Sequence, residues 1–365
     1  MKKVVGLAAA GLLAISSANA GNLTIANTDM VLFGGVSAGF TWQSADRHDG
    51  VKIPGVGLAQ KDYFSINTFA IGLTKPVSEK SPLGFTAALA SFEVPVIFAS
   101  SQVVNSAQLI AHGKTNDNFK TWLAVLSWMP IQGLVIDAGL LWDQYGERAL
   151  TILNPNIHRG IIFTAHPVLY AGARATYNLG MAKVYLGYNQ GGGLLQGPSH
   201  YNVGDAIEAG VFFDLEGFNI GLHTYNEAMG RNLYVGEIKG DLGGLKSSLE
   251  LVYINKDDAI SDPTKDDSAW GFSFNINPSW GEVALPIRLE YVSNGNSGLF
   301  LTGEDTTWSF TITPTIKPTA NTFVRVELGY VKSSQGVYFE NPGDELANNG
   351  KSSRTVAALE LGFAF

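Results

Sequence analysis

Residues 35–39 match the pattern G-x-S-x-G, which in a nucleophile elbow places a serine hydroxyl where it can attack an ester carbonyl. That chemistry requires a sharp turn from a strand into a helix, because only such a turn exposes the hydroxyl. Here the five residues lie within a segment that alternates like a strand, and no helical pattern follows it. We therefore expect no esterase site at Ser37 and interpret the small residues as packing within a strand.

The remaining reactive residues give no metal or cysteine site. The six histidines occur singly, with neither H-x-x-E nor H-E-x-x-H spacing, and the chain has no cysteine. Carboxylates are densest in one segment, at Asp257, Asp258, Asp262, Asp266 and Asp267. That segment lacks the glycine and the terminal glutamate of an EF-hand loop, so we predict a solvated loop. We expect no catalytic residue, no metal and no cofactor.

The N-terminus has the three parts of a secretory signal peptide. Lys2 and Lys3 form a basic start, residues 4–15 are apolar, and residues 18–20 have the small-x-small pattern of a cleavage site. The apolar stretch is shorter than the roughly 20 residues of a spanning helix, which disfavours an uncleaved anchor. We predict a signal peptide at 1–20, cleaved near Ala20, and a single domain at 21–365.

Segments with a two-residue alternation recur along the rest of the chain. In one of them Val324, Val326 and Leu328 alternate with Arg325 and Glu327, which gives one apolar and one polar face. We predict about sixteen strands, with 14 to 18 as the range, near residues 30–42, 62–74, 83–95, 119–129, 134–143, 168–178, 181–190, 205–214, 217–226, 232–240, 245–255, 268–277, 284–293, 305–316, 322–332 and 353–365.

The composition indicates that part of this surface is not covered by water. Charged residues make up 15% of the chain, against roughly 25% in an average soluble protein, and no run of about 18 apolar residues follows residue 20. A chain that sits in lipid without such helices must close its sheet, because every backbone polar group needs a partner. The fold class is therefore predicted to be all-β: a transmembrane antiparallel β-barrel with short periplasmic turns and long extracellular loops.

The C-terminus supports the same location. Thr355, Ala357, Leu359 and Phe363 share one face of a strand that runs to the terminal residue Phe365. A last strand ending in phenylalanine resembles the terminal signature of bacterial outer-membrane barrels, which their assembly machinery recognises. We expect the protein in the cell outer membrane, in contact with the lipid bilayer and lipopolysaccharide. Without residues 1–20 the chain has 22 basic and 32 acidic residues, and this net acidity argues against nucleic acid as a partner.

Residues 154–177, with the sequence NPNIHRGIIFTAHPVLYAGARATY, carry a more specific likeness. They resemble the OmpL-like β-barrel porin-2 family, through Asn156, Arg159, Ala165, Pro167, Gly172, Arg174 and Tyr177. Ile152 and Leu153 depart from the family pattern, in which more polar residues are expected before this stretch. The resemblance implies a porin-like outer-membrane channel without a cofactor, and by analogy a homotrimer.

On this strand count residues 144–167 form the third long loop, which in trimeric porins folds into the lumen and narrows it. We predict that Glu147, Arg148, His158 and Arg159 line this constriction. They would face a set of charged wall residues, namely Arg174, Arg288, Glu290, Arg325, Glu327 and Glu360. Charges on the face away from lipid must find water or a partner, and opposed acids and bases would set a field that filters solutes. The alternative is that these charges only pair along the wall.

The function that follows is passive diffusion of ions and small hydrophilic solutes. Three other readings stay open. A substrate-specific channel would show saturable conductance, and an outer-membrane enzyme would need a Ser/His or Asp/His constellation that the spacing does not supply. A structural or adhesive barrel would have an occluded lumen, which bulky wall residues such as Tyr185 and Phe212 could fill.

Overall fold

The computed structural model is that of a strand-rich protein and is described here over fourteen segments of the chain. They are residues 23–24, 29–44, 62–92, 94–97, 120–148, 150–191, 205–228, 230–242, 244–256, 266–295, 297, 299–300, 305–335 and 350–365. The signal-peptide prediction, most of each long loop except the third, and Asp257, Asp258 and Asp262 lie outside these residues. Among the residues within them, no helix is long and apolar enough to cross a membrane.

Sixteen strands form one closed antiparallel barrel, as the alternation predicted. Each strand pairs with the next along the chain, and the last pairs with the first from Gly35↔Ala364 to Gln43↔Val356. In chain order they are β1 (Val31–Gln43), β2 (Asp62–Lys75), β3 (Leu83–Phe92), β4 (Lys120–Ile131), β5 (Leu134–Trp142), β6 (Leu169–Asn178), β7 (Ala182–Gln190), β8 (Asp205–Leu215), β9 (Phe218–Glu227), β10 (Arg231–Leu242), β11 (Leu245–Lys256), β12 (Ser268–Asn277), β13 (Ile287–Gly295), β14 (Asp305–Ile312), β15 (Thr322–Ser333) and β16 (Ser353–Ala364).

Three prolines interrupt the ladder near two turns, the one between β12 and β13 and the one between β14 and β15. Pro278, Pro286 and Pro314 have no N–H to donate, so the pairing stops at each and resumes beyond it. The resumed pieces are the short strands Ser279–Trp280, Val283–Ala284 and Thr315–Ile316. The predicted segments 284–293 and 305–316 are therefore each split in two. A further short strand, Leu23–Thr24, pairs with the start of β1.

The two faces of the wall differ as the sequence pattern predicts. In β15 the side chains of Val326 and Leu328 are exposed on the outer surface, whereas Arg325 and Glu327 between them are buried inside the barrel. The same contrast repeats around the barrel, because side chains along a strand alternate between its faces. Apolar residues thus cover the outside, and charged and hydroxyl side chains line much of the inside.

The strands are joined on one side by short turns. Between β8 and β9 the turn consists of Glu216 and Gly217, and Gly217 has a φ of 80°. Two-residue hairpin turns require such left-handed angles, which glycine adopts without steric cost. We call this end of the barrel the short-turn side, and the opposite end, at which the described third loop leaves β5 and enters β6, the long-loop side.

The segment between β5 and β6 is well described and folds into the barrel. It contains two short 3₁₀ helices, Thr151–Leu153 and Ile162–Ala165. Apolar side chains pack it on both sides of the lumen. Leu150 is buried against Phe33 and Leu123 of the wall, while Phe163 belongs to a larger cluster with Val252 and other inward residues. The third long loop therefore crosses the interior instead of extending outward.

Candidate functional site

The first end of the third loop is fixed to the wall where the barrel closes. Thr151 Oγ1 donates a 2.6 Å hydrogen bond to Glu360 Oε1 of β16. The same hydroxyl lies 3.2 Å from Ser37 Oγ of β1 and 3.0 Å from Thr68 Oγ1 of β2. Ser37, the centre of the G-x-S-x-G pattern, thus lies inside a strand and contacts a threonine hydroxyl, as expected for a residue with no elbow.

Arg325 of β15 joins this anchor to the loop backbone. Its Nε donates to Glu360 Oε2 over 2.6 Å, so the two side chains pair along the wall. Its other nitrogens donate to carbonyl oxygens of the loop, at 2.9 Å to Thr151 and 2.6 Å to Asn154. One guanidinium therefore satisfies both a wall carboxylate and loop carbonyls that would otherwise be buried without a donor.

Glu327 of β15 holds the middle of the loop. Its two carboxylate oxygens accept the backbone N–H of Ile157 at 2.6 Å and of His158 at 3.0 Å. The imidazole Nδ1 of His158 lies 2.7 Å from Oε1, and Thr313 Oγ1 donates to Oε2 over 2.9 Å. Four donors thus converge on one buried carboxylate, which makes Glu327 a loop anchor.

A third anchor on β13 combines an acid and a base. Glu290 accepts the backbone N–H of Ile161 at 3.0 Å, and its Oε2 lies 3.3 Å from Arg288 Nε. Arg288 Nη1 donates to Glu147 Oε1 at 2.7 Å and to the carbonyl oxygen of His158 at 3.0 Å. Arg288 therefore pairs both along the wall and across the lumen, which combines the two arrangements that the sequence left open.

Arg159 is directed into the loop and not into the lumen. Its Nη2 donates to the carbonyl oxygens of Asn156 at 2.8 Å and Ile157 at 2.5 Å, and its Nη1 to that of Arg148 at 3.2 Å. The residue is fully buried. Burial lowers the pKa of this guanidinium to about 10, although Glu147 counteracts that effect. Arg159 therefore acts as an internal staple, a side chain that joins two parts of the third loop by hydrogen bonds.

Glu147 and Arg148 are the two predicted loop residues that keep a partly exposed side chain. The exposed fractions are 21% for Glu147 and 14% for Arg148, whereas His158 is 1% exposed. Arg148 Nη1 donates to Asp143 Oδ1 over 2.9 Å, and its guanidinium lies 5.2 Å from the ring centre of Trp142. Burial raises the pKa of Asp143 to about 7, although the positive charge of Arg148 lowers that pKa in part.

Arg174 does not face the predicted loop charges. Its Nε donates to Glu208 Oε1 at 2.8 Å, and its Nη2 donates to the hydroxyl of Tyr170 at 2.6 Å and to the carbonyl oxygen of Trp142 at 2.5 Å. Tyr170 also donates to Glu208. Arg174 and Glu208 thus pair along the wall between β6 and β8, next to the start of the third loop.

Several residues that contact the loop were not predicted from the sequence. His166 Nε2 lies 2.7 Å from Glu250 Oε1 of β11, and Tyr145 stacks on His223 of β9 with ring centres 5.0 Å apart. The only sequence signal for Glu250 and His223 is that each occupies an inward position of an alternating strand. Their partners in the loop are separated from them by dozens of residues and carry no pattern of their own.

A second segment on the long-loop side forms backbone hydrogen bonds with the third loop. Residues 94–97 follow β3, and Val96 forms an isolated parallel bridge with Arg159. The N–H of Arg159 donates to the carbonyl oxygen of Pro95 at 2.7 Å, and that of Ile97 donates back to Arg159 at 3.0 Å. Ile97 is fully buried in the cluster that holds Phe163. We call residues 94–97 the strap.

The ten predicted site residues thus form two groups, according to whether they contact the third loop. Nine of the ten lie at the third loop or against it, and Arg174 lies on the wall where that loop begins. Within the described segments, no group of three or more histidine, aspartate or glutamate side chains is arranged to hold a metal ion. The third loop therefore crosses the lumen and is anchored to the wall, and charged side chains of both the loop and the wall lie at this level.

Known proteins show the same architecture. The family model described as "Putative beta-barrel porin-2, OmpL-like" matches residues 31–365. A search among curated proteins found no match. An anion-selective porin from Comamonas acidovorans has a similar structure, with a TM-score of 0.61, 11% identity, and coverage of 92% of this chain and 99% of that one.

Two further structures cover a comparable share of the chain. The outer-membrane channel DcaP of Acinetobacter baumannii gives a TM-score of 0.58 at 10% identity, with 92% of this chain and 97% of that chain covered. The trimer form of OmpT, an outer-membrane protein of Vibrio cholerae, gives 0.57 at 11% identity, with 92% and 99% covered. At such identities the likeness shows the fold alone. The family match covers every strand of the barrel, and the chain therefore belongs to the OmpL-like β-barrel porin-2 family.

Proposed function

We propose that this protein is a porin, which lets ions and small hydrophilic solutes diffuse passively across the outer membrane. The observation that carries the proposal is the third loop, which crosses a closed barrel and is fixed by side chains of β13, β15 and β16. Anchoring of this kind turns a wide sixteen-stranded barrel into a filter, because the loop narrows the lumen at one level.

The passage at that level is expected beside Glu147 and Arg148. Loop and wall side chains elsewhere at the crossing are buried, among them Leu150, His158 and Phe163. Glu147 and Arg148 keep partly exposed side chains of opposite charge, next to Arg288 on the wall. A solute passing here meets an acid and a base side by side, so the loop would select by size and by the orientation of polar groups.

A structural barrel with an occluded lumen is the second candidate, and one observation favours it. Inward residues at the level of the loop include Val235, Val252, Ile254 and Val292, which are buried against the loop or its neighbours. An apolar, filled sector of this size leaves less room for water than a uniformly polar wall. The two candidates differ in a single property, the presence of an open path beside Glu147.

Ion conductance of the refolded protein in a planar bilayer separates them. Discrete current steps of uniform size are expected for the porin, and replacing Glu147 and Arg148 together by glycine should raise the step size, because it removes the side chains that flank the passage. Replacing residues 147–164 by a short glycine linker should raise it further. Folded, inserted protein that carries no current would contradict the porin and support the occluded barrel.

Folding of the loop variants is checked separately, since the loop satisfies buried carboxylates. Far-ultraviolet circular dichroism and resistance to protease in micelles serve for this purpose. The matched control is Lys332→Gly, on the exposed outer face of β15, which should leave the step size unchanged. We also propose that the protein forms a homotrimer, that its signal peptide is cleaved near Ala20, and that it contacts lipopolysaccharide. Cross-linking of the membrane-embedded protein measures the oligomeric state.

A further inference from the structure

The third loop returns to the wall through a strained turn. Val168 has a φ of 62°, and the N–H of Leu169 donates to the carbonyl oxygen of Pro167 at 2.7 Å. A γ-turn with a positive φ at its centre is rare, and it is costly for a β-branched residue. Val168 is fully buried, so this conformation persists because neighbouring contacts stabilise it. We call residues 166–168 the return segment.

The charged contact of the return segment is a histidine on a carboxylate. His166 Nε2 lies 2.7 Å from Glu250 Oε1 of β11, and the imidazole is 1% exposed. Among the residues that the structure describes, His166 is the one base within ion-pair distance of Glu250. Histidine is the base whose charge changes near neutral pH, so the attachment of the return segment depends on pH.

The other anchors of the third loop do not depend on a histidine in this way. Glu290 and Glu360 bind backbone N–H, hydroxyl and arginine donors, which keep their protons near neutral pH. Glu327 contacts His158, but it also accepts two backbone N–H groups and the hydroxyl of Thr313. A rise in pH would therefore weaken the return segment and leave the rest of the loop attached.

The carboxylate that His166 contacts faces a second carboxylate across the sheet. Glu237 of β10 and Glu250 are register partners, and both side chains point inward. Like charges directly opposite each other repel. Lys239 Nζ lies 2.7 Å from Glu237 Oε2 and compensates one of the two charges, and His223 Nε2 lies 3.8 Å from Glu237 Oε1. The charge of Glu250 is balanced while His166 carries its proton.

Two further charges act on the imidazole of His166. Asp143, at the start of the loop, favours the protonated ring, whereas Arg231 of β10 opposes it. Burial also opposes ionisation, but Glu250 and Asp143 outweigh burial and raise the pKa of His166 above 6.5. Burial raises the pKa of Asp143 to about 7, so Asp143 is charged above that pH. The imidazole is therefore expected to lose its proton on the alkaline side of neutrality.

The same imidazole lies against the part of the loop that flanks the proposed passage. A Cβ at Gly146 would lie 2.1 Å from His166 Nδ1, so the ring lies directly against the backbone of Gly146. The ring of Tyr145 meets the imidazole edge-on, with ring centres 5.1 Å apart. Glu147 and Arg148 follow Gly146 in the chain. Movement of His166 would therefore free this side of the passage as well.

We propose that His166, Glu250 and Val168 form a pH-operated latch of the third loop. Below neutrality the charged imidazole binds Glu250 and keeps the strained return segment in place. Loss of the proton leaves a weaker, neutral hydrogen bond and a Glu250 carboxylate without a counter-charge. The γ-turn then relaxes, residues 143–148 loosen and the passage widens. The latch itself does not require conduction, but its effect on permeation rests on the proposed porin function.

Hydrogen exchange of the full mature chain, refolded in neutral detergent, tests the latch without any current. Protection of the amides of residues 143–148 is corrected for the intrinsic effect of pH on exchange. It should fall at least about tenfold between pH 6 and pH 9, because a hydrogen bond to a charged group is lost. His166→Gln should show the lower protection at both pH values, and Glu250→Gln should show no fall.

The matched control is His158→Gln, in the same loop. It should retain the fall in protection, since Glu327 keeps its backbone and threonine donors. Unchanged protection of the wild type across this pH range overturns the inference. So does a fall that either His166→Gln or Glu250→Gln retains, which means that either variant alone decides the test.

Bilayer recordings at the same two pH values separate the latch from the porin. In a conducting wild type the current step should increase about 1.5-fold from pH 6 to pH 9, and in His166→Gln it should not change. A conducting channel whose loop protection does not respond to pH overturns the latch and leaves the porin intact. A fall in protection without any current overturns the porin alone. A fall in protection without a change in step size overturns the link between the latch and the passage.

Discussion

At the scale of single residues, charged side chains inside this barrel each contact several partners. Arg288 contacts Glu147 and the carbonyl oxygen of His158 in the loop and Glu290 on its own strand. A buried charge is costly unless several partners replace its water, and here two of the three partners belong to the third loop. The charges therefore position the loop as well as facing the lumen.

Arg159→Lys tests this organisation within the loop. A lysine keeps the charge but has no planar fork, so it cannot serve the carbonyl oxygens of Arg148, Asn156 and Ile157 at once. The free energy of local opening of the loop should fall by about 2 kcal/mol. Hydrogen exchange of the loop amides by mass spectrometry measures it.

Arg148→Lys is the matched control, because its side chain is partly exposed. It should lower the opening free energy by less than about 1 kcal/mol. An equal effect of the two substitutions would contradict the assignment of Arg159 as the internal staple and would indicate that the guanidinium group matters wherever it lies.

The pH dependence of loop anchoring follows from Asp143 and His166. Burial raises the pKa of Asp143 from 3.8 to about 7, so its contribution to stability is complete below about pH 4 and is lost as the pH rises to 7. For His166, burial opposes ionisation but Glu250 outweighs it, and the pKa is raised above 6.5. Its contribution is complete below pH 6.5 and is lost as the pH rises through the raised value.

Urea unfolding in micelles between pH 5 and 8 should therefore show decreasing stability, at most about 1.4 kcal/mol per pH unit for each group. Asp143→Asn should flatten the part between pH 5 and 7, and His166→Gln the part above 6.5. A profile that either substitution leaves unchanged would show that the group in question does not titrate with unfolding.

At the scale of elements, the third loop is held by apolar contacts as well as by carboxylates. Phe163 is 1% exposed within the cluster that includes Ile97 of the strap and Val252 of β11. If hydrogen bonds alone held the loop, water molecules could replace its partners and several loop positions would have similar free energies. Packing against both the wall and the strap favours one position, because interiors are close-packed and tolerate few alternatives.

Phe163→Ala should destabilise the closed position of the loop by about 3 kcal/mol, since it leaves a cavity in this cluster. Protease cleavage within residues 144–167 of the refolded protein should become faster, while the strands stay protected. Phe64→Ala, at an outer position that is 86% exposed, provides the control and should leave cleavage unchanged. Equal cleavage of both variants would mean that the carboxylate anchors suffice without the apolar cluster.

The strands could be predicted from the sequence because their two-residue period is local. The segment predicted at 268–277 coincides with β12, and that at 205–214 differs from β8 by one residue. The segment predicted at 284–293 was instead split at Pro286, and β13 extends two residues further, to Gly295. A strand's own residues determine which face is polar, so the inward position of Arg325 and Glu327 was predictable too.

The interior contacts could not be predicted in the same way. Glu327 and His158 are 169 residues apart, and no spacing rule connects an inward carboxylate with the loop amides that it accepts. The orientation of Arg159 depends on carbonyl oxygens that become available only when the loop folds. The strap escaped prediction for a further reason, since its single bridge to Arg159 has no periodic pattern.

At the scale of the whole molecule, closure of the barrel depends on the meeting of the two ends of the chain. Phe365 follows β16, and its N–H donates to the carbonyl oxygen of Gly34 at 2.9 Å. The N–H of Gly34 donates back to Phe365 over 2.9 Å. These two bonds involve only the backbone. The aromatic ring is half-buried, with its centre 5.9 Å from that of Phe363, and it lies next to Gly34 of β1.

Phe365→Ala separates the folded structure from assembly in the cell. The backbone bonds remain, so refolding into micelles and the final stability should change by less than about 1 kcal/mol. If the assembly machinery recognises the terminal ring, the amount of folded protein in the outer membrane should fall severalfold. Membrane fractionation with immunoblotting measures it, and Phe310→Ala, an outward aromatic of β14, is the control. Normal outer-membrane levels of Phe365→Ala would show that the signal lies elsewhere in the last strand, whereas failure to refold in micelles would assign the ring a structural role in closure.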